Sequence, residues 1–310
     1  MGGASGEDAK FENNGRCYGE SYFENKMDPV IEELEDKKLL TVGKEGAKIV
    51  EFDESAKLPP LMILKKDGAT LYATRDLATD KFRIERYGSD VLIVNEVGME
   101  QSLYFQQLYA LEQKLGWVKS DQRVHLKHGL IRFKDGKMST RKGNTIWLED
   151  VLQEAEKRAG KLGELEGNEG DKVSKIVAIG AIKWNDLKRD SKQDIMFDWD
   201  DVLNMQGNSG PYIQYVYART QSVLLKAGTV NNSQLTINKL EPEERDLLVR
   251  LVKFQEIIDE AAERLAPNVI CTYLFELAQA FNLFYQKHSI LNPSVIARSE
   301  ATKQSIEESL

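Results

Sequence analysis

The chain has 310 residues, 41% of them hydrophobic and 30% charged, with a formal net charge of −8. That length allows two domains with ordinary globular cores, and the acidic balance excludes a general nucleic-acid coat protein, which would need a strong positive excess. No apolar run reaches membrane-spanning length, the N-terminus lacks the order of a secretory signal, and Cys17 and Cys271 lie too far apart to suggest a disulfide framework or a metal site, so a cytoplasmic setting is expected.

Residues 1–17 are polar and Gly-rich, the composition of a poorly ordered terminus. Asp28 to Leu40 has apolar residues at helical spacing, with Pro29 where a helix start tolerates it. KIVEF and PLMILKK read as strands. Asp67-Gly68 is a turn signal, so PLMILKK and the following TLYAT are expected to form a hairpin. Arg75 to Tyr87 reads as a helix, and VLIVNEVG, ending at Gly98, as a buried parallel strand. Gln101 to Leu115 is a helix with Leu103, Leu108, Leu111 and Leu115 on its apolar face. VHLKHGLIRF is then a strand, which completes a strand–helix–strand alternation.

Leu148 to Leu162 reads as a helix and GELEGNEGD as a linker. From Lys172 onward the pattern is helical and nearly free of strand signals, with a loop around AGTVNNSQLTINKLEPEE. A helix is expected from Glu243 to Leu265, ended by Pro267, and another from Ile270 to Ser289. The fold class is therefore α/β: a partial doubly wound, Rossmann-like parallel sheet over 18–164, then an all-α helical bundle over 165–290. A polar, Ser-rich tail fills 291–310.

The segment GKMSTRKGN leaves the last strand of the first region. It places Lys137, Arg141 and Lys142 between Gly136 and Gly143. Attack on the α-phosphate of a nucleoside triphosphate builds negative charge as pyrophosphate leaves. Cations on a loop can stabilise that charge more in the transition state than in the ground state. Further upstream, Tyr72 and Asp76 are four apart across an expected strand-to-helix transition, where ligands bind in doubly wound folds. Taken as isolated residues, Asp76 reads as a first-turn acid favoured by the helix dipole and Tyr72 as a core aromatic. His125 and His128 in HLKH fall on opposite faces of a strand with no cysteine near, so no metal site is expected.

KMSTRKGN resembles the KMSKS signature of class I aminoacyl-tRNA synthetases, in the form used by arginyl-tRNA synthetases. Lys137, Met138 and Ser139 match. Thr140 stands at the common second lysine, and either Arg141 or Lys142 takes over its role. DGATLYATRDLA (Asp67–Ala78), VGMEQ (Val97–Gln101) and FDWDDVLNMQGNSGPYIQYVYART (Phe197–Thr220) resemble segments of the same family, in the same order. The likeness covers roughly residues 18 to 290.

The resemblance implies that Asp76 pairs with the guanidinium of L-arginine, that Tyr72 packs against or hydrogen-bonds the substrate, and that Gln101 adds an amide contact. A carboxylate fork suits a guanidinium and penalises lysine. It also implies ATP with accompanying Mg²⁺, a tRNA for arginine, no membrane partner and a helical anticodon-binding domain. There Tyr212, Gln214, Tyr217 and Arg219, with Tyr215 nearby, are the candidate RNA contacts, at least one tyrosine being expected in the core.

The family's HIGH motif, whose histidines and helix N-terminus hold ATP phosphates, has no counterpart in the chain, and HLKH is not one. The chain is therefore expected to correspond to the C-terminal part of the enzyme, the rest being lost by truncation, gene splitting or incomplete assembly; in the split case a separate N-terminal half is a further partner. Two readings follow. One is a fragment of an arginine–tRNA ligase, inactive on its own; the other is a non-catalytic remnant that binds tRNA or arginine. YATRD together with GMEQ speaks against a synthetase for another amino acid.

Overall fold

The computed structural model describes residues 18–133, 147–162, 167–227, 240–288 and 290. Two compact units divide at His128 and Gly129.

In the first unit, a 3-10 turn at Glu20–Lys26 buries Phe23 and leads into helix α1 (Asp28–Asp36). Pro29 sits in the first turn of α1, and Val30 and Leu34, four apart, are its buried contacts. Strands β1 (Leu40–Val42), β2 (Lys48–Val50) and β3 (Leu61–Leu64) form an antiparallel sheet in that order, with Leu40 opposite Val50 and Val50 opposite Leu61. The expected hairpin is thus redirected. PLMILKK pairs with KIVEF, and TLYAT contributes only a single bridge, Leu64 to Thr70, after a turn in which Gly68 adopts φ 81°.

Helix α2 starts at Tyr72, three residues earlier than predicted, and runs to Tyr87. Ala73, Leu77 and Ala78 face the core at helical spacing, so burial overrides the strand-like TLYAT string. The buried Thr74 hydroxyl donates to the Ile63 carbonyl at 2.6 Å, which fixes the first turn of α2 against β3.

Strand β4 (Ile93–Gly98), helix α3 (Ser102–Leu115) and strand β5 (Arg123–His128) are the expected strand–helix–strand unit. The strands are parallel, with Ile93 opposite Arg123 and Gly98 opposite His128. The buried face of α3 is Tyr104, Phe105, Leu108, Leu111 and Leu115. Leu103 is exposed instead, because it sits one residue off that stripe. The helix stops at Gly116, left-handed at φ 78°, with the Trp117 amide donating to the Glu112 carbonyl.

Glu33 ties three elements of this unit together. It accepts from Lys81 of α2 and from the Trp117 indole, both at 2.9 Å, and pairs with Lys37 at 3.0 Å. Partial burial alone would raise its pKa, but the Lys81, Trp117 and Lys37 hydrogen bonds outweigh burial and hold the carboxyl at about 2, against an ordinary 4.5. Because the folded pKa is depressed, the stabilisation is fully present above pH 4.5 and fades as pH falls toward 2. Glu33→Gln is expected to cost about 2 kcal/mol at pH 7, after allowance for residual solvent exposure. In urea melts at pH 3 the gap between the two proteins should shrink by half or more. An equal gap at both pH values would contradict the charge-based account.

The second unit opens by splitting the predicted strand VHLKHGLIRF. Gly129 lies so close to the Gln193 backbone that a Cβ would come within 2.4 Å of its carbonyl oxygen. The chain then restarts as β6 (Ile131–Phe133). Strand β7 (Ile195–Phe197) pairs with β6 in parallel, Ile131 opposite Ile195 and Phe133 opposite Phe197. This adds a strand to the region after Lys172, which reads as nearly free of strand signals. Only three residues pair, too few to show a period in sequence.

Helices α4 (Leu148–Leu162) and α5 (Gly167–Leu187) pack through small residues, Ala155 and Ala159 near Ala178. Helix α5 starts inside the stretch read as the GELEGNEGD linker. A short helix α6 (Trp199–Val202) is capped by the Asp198 side chain. Helix α7 (Gly210–Ala227) begins against α5, where a Cβ on Gly210 would lie 2.4 Å from the Gly180 carbonyl oxygen.

The predicted Glu243–Leu265 helix is two, α8 (Pro242–Val252) and α9 (Phe254–Glu263), broken at Lys253. Pro267 does not end a helix but starts one, α10 (Pro267–Lys287). Leu265 turns left-handed at φ 49°, and Ala266 leaves the helical region as residues before proline do. Among the described residues no helix is long and apolar enough to cross a membrane.

Candidate functional site

Helix α2 carries two of the residues expected to read an amino-acid side chain, and the first turn of α3 packs Tyr104 against both. Tyr72 opens α2 and is 62% exposed; Asp76 follows one turn later on the same side of the helix. Helix α3 supplies Tyr104, only 9% exposed, whose hydroxyl donates to Asp76 Oδ2 at 2.5 Å. The Tyr104 ring also meets the Tyr72 ring edge-on, with centroids 4.8 Å apart. Gln101 lies three residues before Tyr104, exposed in the 3-10 turn that joins β4 to α3, at the C-terminal end of a parallel strand.

Burial raises the Asp76 pKa above the ordinary carboxylate value. The Tyr104 hydrogen bond pulls it back down, and the charge of Asp80 one turn further along raises it again. Burial and the neighbouring Asp76 carboxylate push the Tyr104 hydroxyl far above the usual tyrosine range, so it remains a donor. The result is a partly buried carboxyl with Oδ2 occupied by a protein donor. A planar cation with several N–H groups is the chemistry that suits its other oxygen.

Beneath this layer lies a fully buried ion cluster. Arg123, at the start of β5, places its guanidinium 2.9 Å from Asp80 of α2 and 2.5 Å from Glu112 of α3. Asp80 is also 2.6 Å from Arg83, and the Arg123 guanidinium lies 5.6 Å from the centre of the Tyr109 ring. Tyr109 donates in turn to Asn95 of β4 at 2.8 Å. Burial raises the Glu112 pKa strongly, and the neighbouring Asp80 charge raises it further. The cluster ties α2, α3 and β5 to one another one helical turn from Asp76. Neither Tyr104 nor this cluster was singled out from the sequence. The available signal was a tyrosine within a helix-start stripe, whose hydroxyl needs a partner once the ring is buried.

Lys137, Met138, Ser139, Arg141 and Lys142 lie outside the described residues. His125 Nε2 is 3.0 Å from the Val97 carbonyl and its ring lies against Phe105, whereas His128 is exposed.

In the second unit, the α7 residues expected to face RNA divide into two sets. Tyr212 accepts from Asn282 at 2.9 Å and packs on Phe275, and Gln214 donates to the Ile176 carbonyl at 3.0 Å. Both therefore hold α7 to its neighbours. Tyr217 is 65% exposed. Arg219 donates to Asn282 at 2.6 Å and lies between the rings of Tyr215 and Tyr285, 4.6 and 4.8 Å from their centres.

A family model described as tRNA synthetases class I (R), catalytic domain, matches residues 8–199, and one described as DALR anticodon binding domain matches residues 213–305. An arginine–tRNA ligase of Clostridium acetobutylicum is 42% identical over 279 residues, covering 89% of this chain and 49% of that protein. One of Fusobacterium nucleatum is 39% identical over 286 residues, covering 90% and 50%. The chain thus spans about half the length of the curated relatives it matches.

Among solved structures, an arginyl-tRNA synthetase of Thermus thermophilus superposes with a TM-score of 0.75 at 23% identity, covering 90% of this chain and 54% of the other. One of Plasmodium falciparum gives 0.74 at 23% identity, with 92% and 51% covered. At that identity the structures speak for the fold. With a catalytic-domain match over 8–199 and relatives at 42% and 39% identity, the chain belongs to the arginyl-tRNA synthetase family of class I.

Proposed function

We propose that the chain supplies the arginine-recognition and KMS-loop portion of an arginine–tRNA ligase, joined to an anticodon-binding bundle. The observation that carries this reading is the Tyr72–Asp76–Tyr104 arrangement at the start of α2, a carboxyl held ready for a guanidinium. In the complete reaction the carboxylate of L-arginine attacks the α-phosphorus of ATP, and the bond to pyrophosphate breaks. A terminal ribose hydroxyl of tRNA then displaces AMP.

Asp76 pairs with the guanidinium, Tyr72 packs against the substrate, and Gln101 contributes an amide. Lys137 and either Arg141 or Lys142 neutralise charge on the departing pyrophosphate, with Met138 and Ser139 shaping that loop. Mg²⁺ accompanies ATP as its counter-ion. Residues 18–164 carry the catalytic portion and 165–290 the tRNA-binding portion, and the setting is the cytoplasm, where tRNA is charged. On the RNA side, Tyr217 and Arg219 offer a stacking face and a cation, while Tyr212 and Gln214 act through the packing of α7.

The second reading is a non-catalytic binder of tRNA or arginine. What favours it is that the chain spans about half the length of the curated relatives it matches. Arginine-dependent ATP–pyrophosphate exchange with tRNA present separates the two. The chain alone should be silent, and adding a polypeptide that carries the HIGH-containing half should restore exchange. Silence after complementation by a folded partner would leave the binding reading.

A further inference from the structure

We infer that Tyr104 is a positioning residue for arginine recognition: it clamps Asp76 in one orientation and sets the ring of Tyr72, so that both present themselves to the guanidinium together. The inference rests on the arginine-site reading above. Tyr72 and Asp76 share one side of α2, but an exposed aromatic and a carboxyl on a helix each have several rotamers. Tyr104 restricts both. Its hydroxyl takes Asp76 Oδ2 at 2.5 Å, and its ring meets Tyr72 at 4.8 Å between centres, at an angle of 70°.

Tyr104 itself is fixed. It lies in the first turn of α3, is 9% exposed, and packs edge-on against Phe105. The clamp is also asymmetric. One carboxylate oxygen is bound by the protein, so the other is left for a ligand in a known direction. Holding a recognition group in its bound geometry reduces the ordering cost of binding.

Donation by the hydroxyl also favours the charged form of Asp76. Burial and the Asp80 carboxylate both favour the protonated acid, and donation by Tyr104 opposes them. A protonated Asp76 would lose the charge a guanidinium needs. The charged groups facing Asp76 are Asp80 and Arg83 on its own helix and Glu20 from the turn packed against α2; Tyr104 is the one that touches it.

The test uses the 310-residue chain as wild type, Tyr104→Phe, Asp76→Asn and the double variant. Two measurements are made: L-arginine affinity by titration calorimetry, and the pH titration of the Asp76 carboxyl by carbon-13 NMR, assigned from its absence in Asp76→Asn. Phenylalanine keeps the ring and its packing. Tyr104→Phe is expected to raise the Asp76 pKa and to weaken arginine binding by about tenfold, the scale of one hydrogen bond to a charged group. On the Asp76→Asn background the same change should weaken binding no further, and can restore part of it by freeing the one amide oxygen for the ligand. An unmoved Asp76 titration, or a moved titration with unchanged arginine affinity, would overturn the positioning role. If Asp76→Asn itself leaves arginine affinity unchanged, or wild type binds no arginine, the site reading fails along with it.

Discussion

Replacing Asp76 by asparagine is expected to weaken L-arginine binding by about two orders of magnitude, near 3 kcal/mol, while leaving the fold intact. Asparagine has nearly the same shape, so packing beside Tyr104 survives. The hydrogen-bond pattern does not. Tyr104 donates to one side-chain oxygen of residue 76. Asparagine has only one oxygen, and once Tyr104 has taken it the amide N–H₂ group faces the ligand. A guanidinium offers only donors, so donor meets donor and the compensating charge is lost.

Stability should move the other way. Burial raises the Asp76 pKa, which means the ionised carboxyl costs folding energy at neutral pH. The neutral amide removes that cost, and the melting temperature should hold or rise. Loss of affinity together with loss of structure would point to a misfolded variant. Unchanged affinity would remove Asp76 from the site.

The candidate arginine-binding residues are legible in the sequence through the family resemblance carried by YATRD and GMEQ. Read singly, Asp76 is a first-turn acid and Tyr72 a core aromatic, whereas in the structure Tyr72 is exposed at the start of α2, Asp76 is partly buried and Gln101 is exposed in the turn before α3. What stayed illegible depends on contacts distant in the chain. Tyr104 reads as one more residue of an apolar helix face until Asp76, 28 positions earlier, comes within reach of its hydroxyl. TLYAT has strand propensity but lies on a helix, because Ala73, Leu77 and Ala78 have a core to fill. Strand β7 is too short to announce itself and exists because β6 offers it an edge. Pro267 reads as a stop in sequence but starts a helix, because the left-handed Leu265 before it has already ended the previous one.

The same distance effect governs the buried cluster one helical turn from Asp76, where the largest stability change is expected. Arg123→Met should destabilise the first unit by about 3–5 kcal/mol. Methionine fills much of the volume, so the cost is electrostatic rather than a cavity. Glu112 would lose its cation in a place where its side chain has no exposure, and Asp80 would keep only Arg83. The burial that already raises the Glu112 pKa would then be unopposed, and the carboxyl would take up a proton in the variant. Part of the loss should therefore be recovered on lowering the pH from 8 toward 5, the opposite direction from the Glu33 effect. Adding Glu112→Leu to Arg123→Met should recover a comparable share at neutral pH, because an apolar pair costs far less than a lone buried charge. Trp117 is the only tryptophan among residues 1–128, so urea melts followed on a fluorotryptophan resonance at that position isolate this unit. A loss below about 1 kcal/mol would mean that Arg123 is not the counter-charge that holds α2, α3 and β5 together. The candidate site at Asp76 would then need another source for its rigidity.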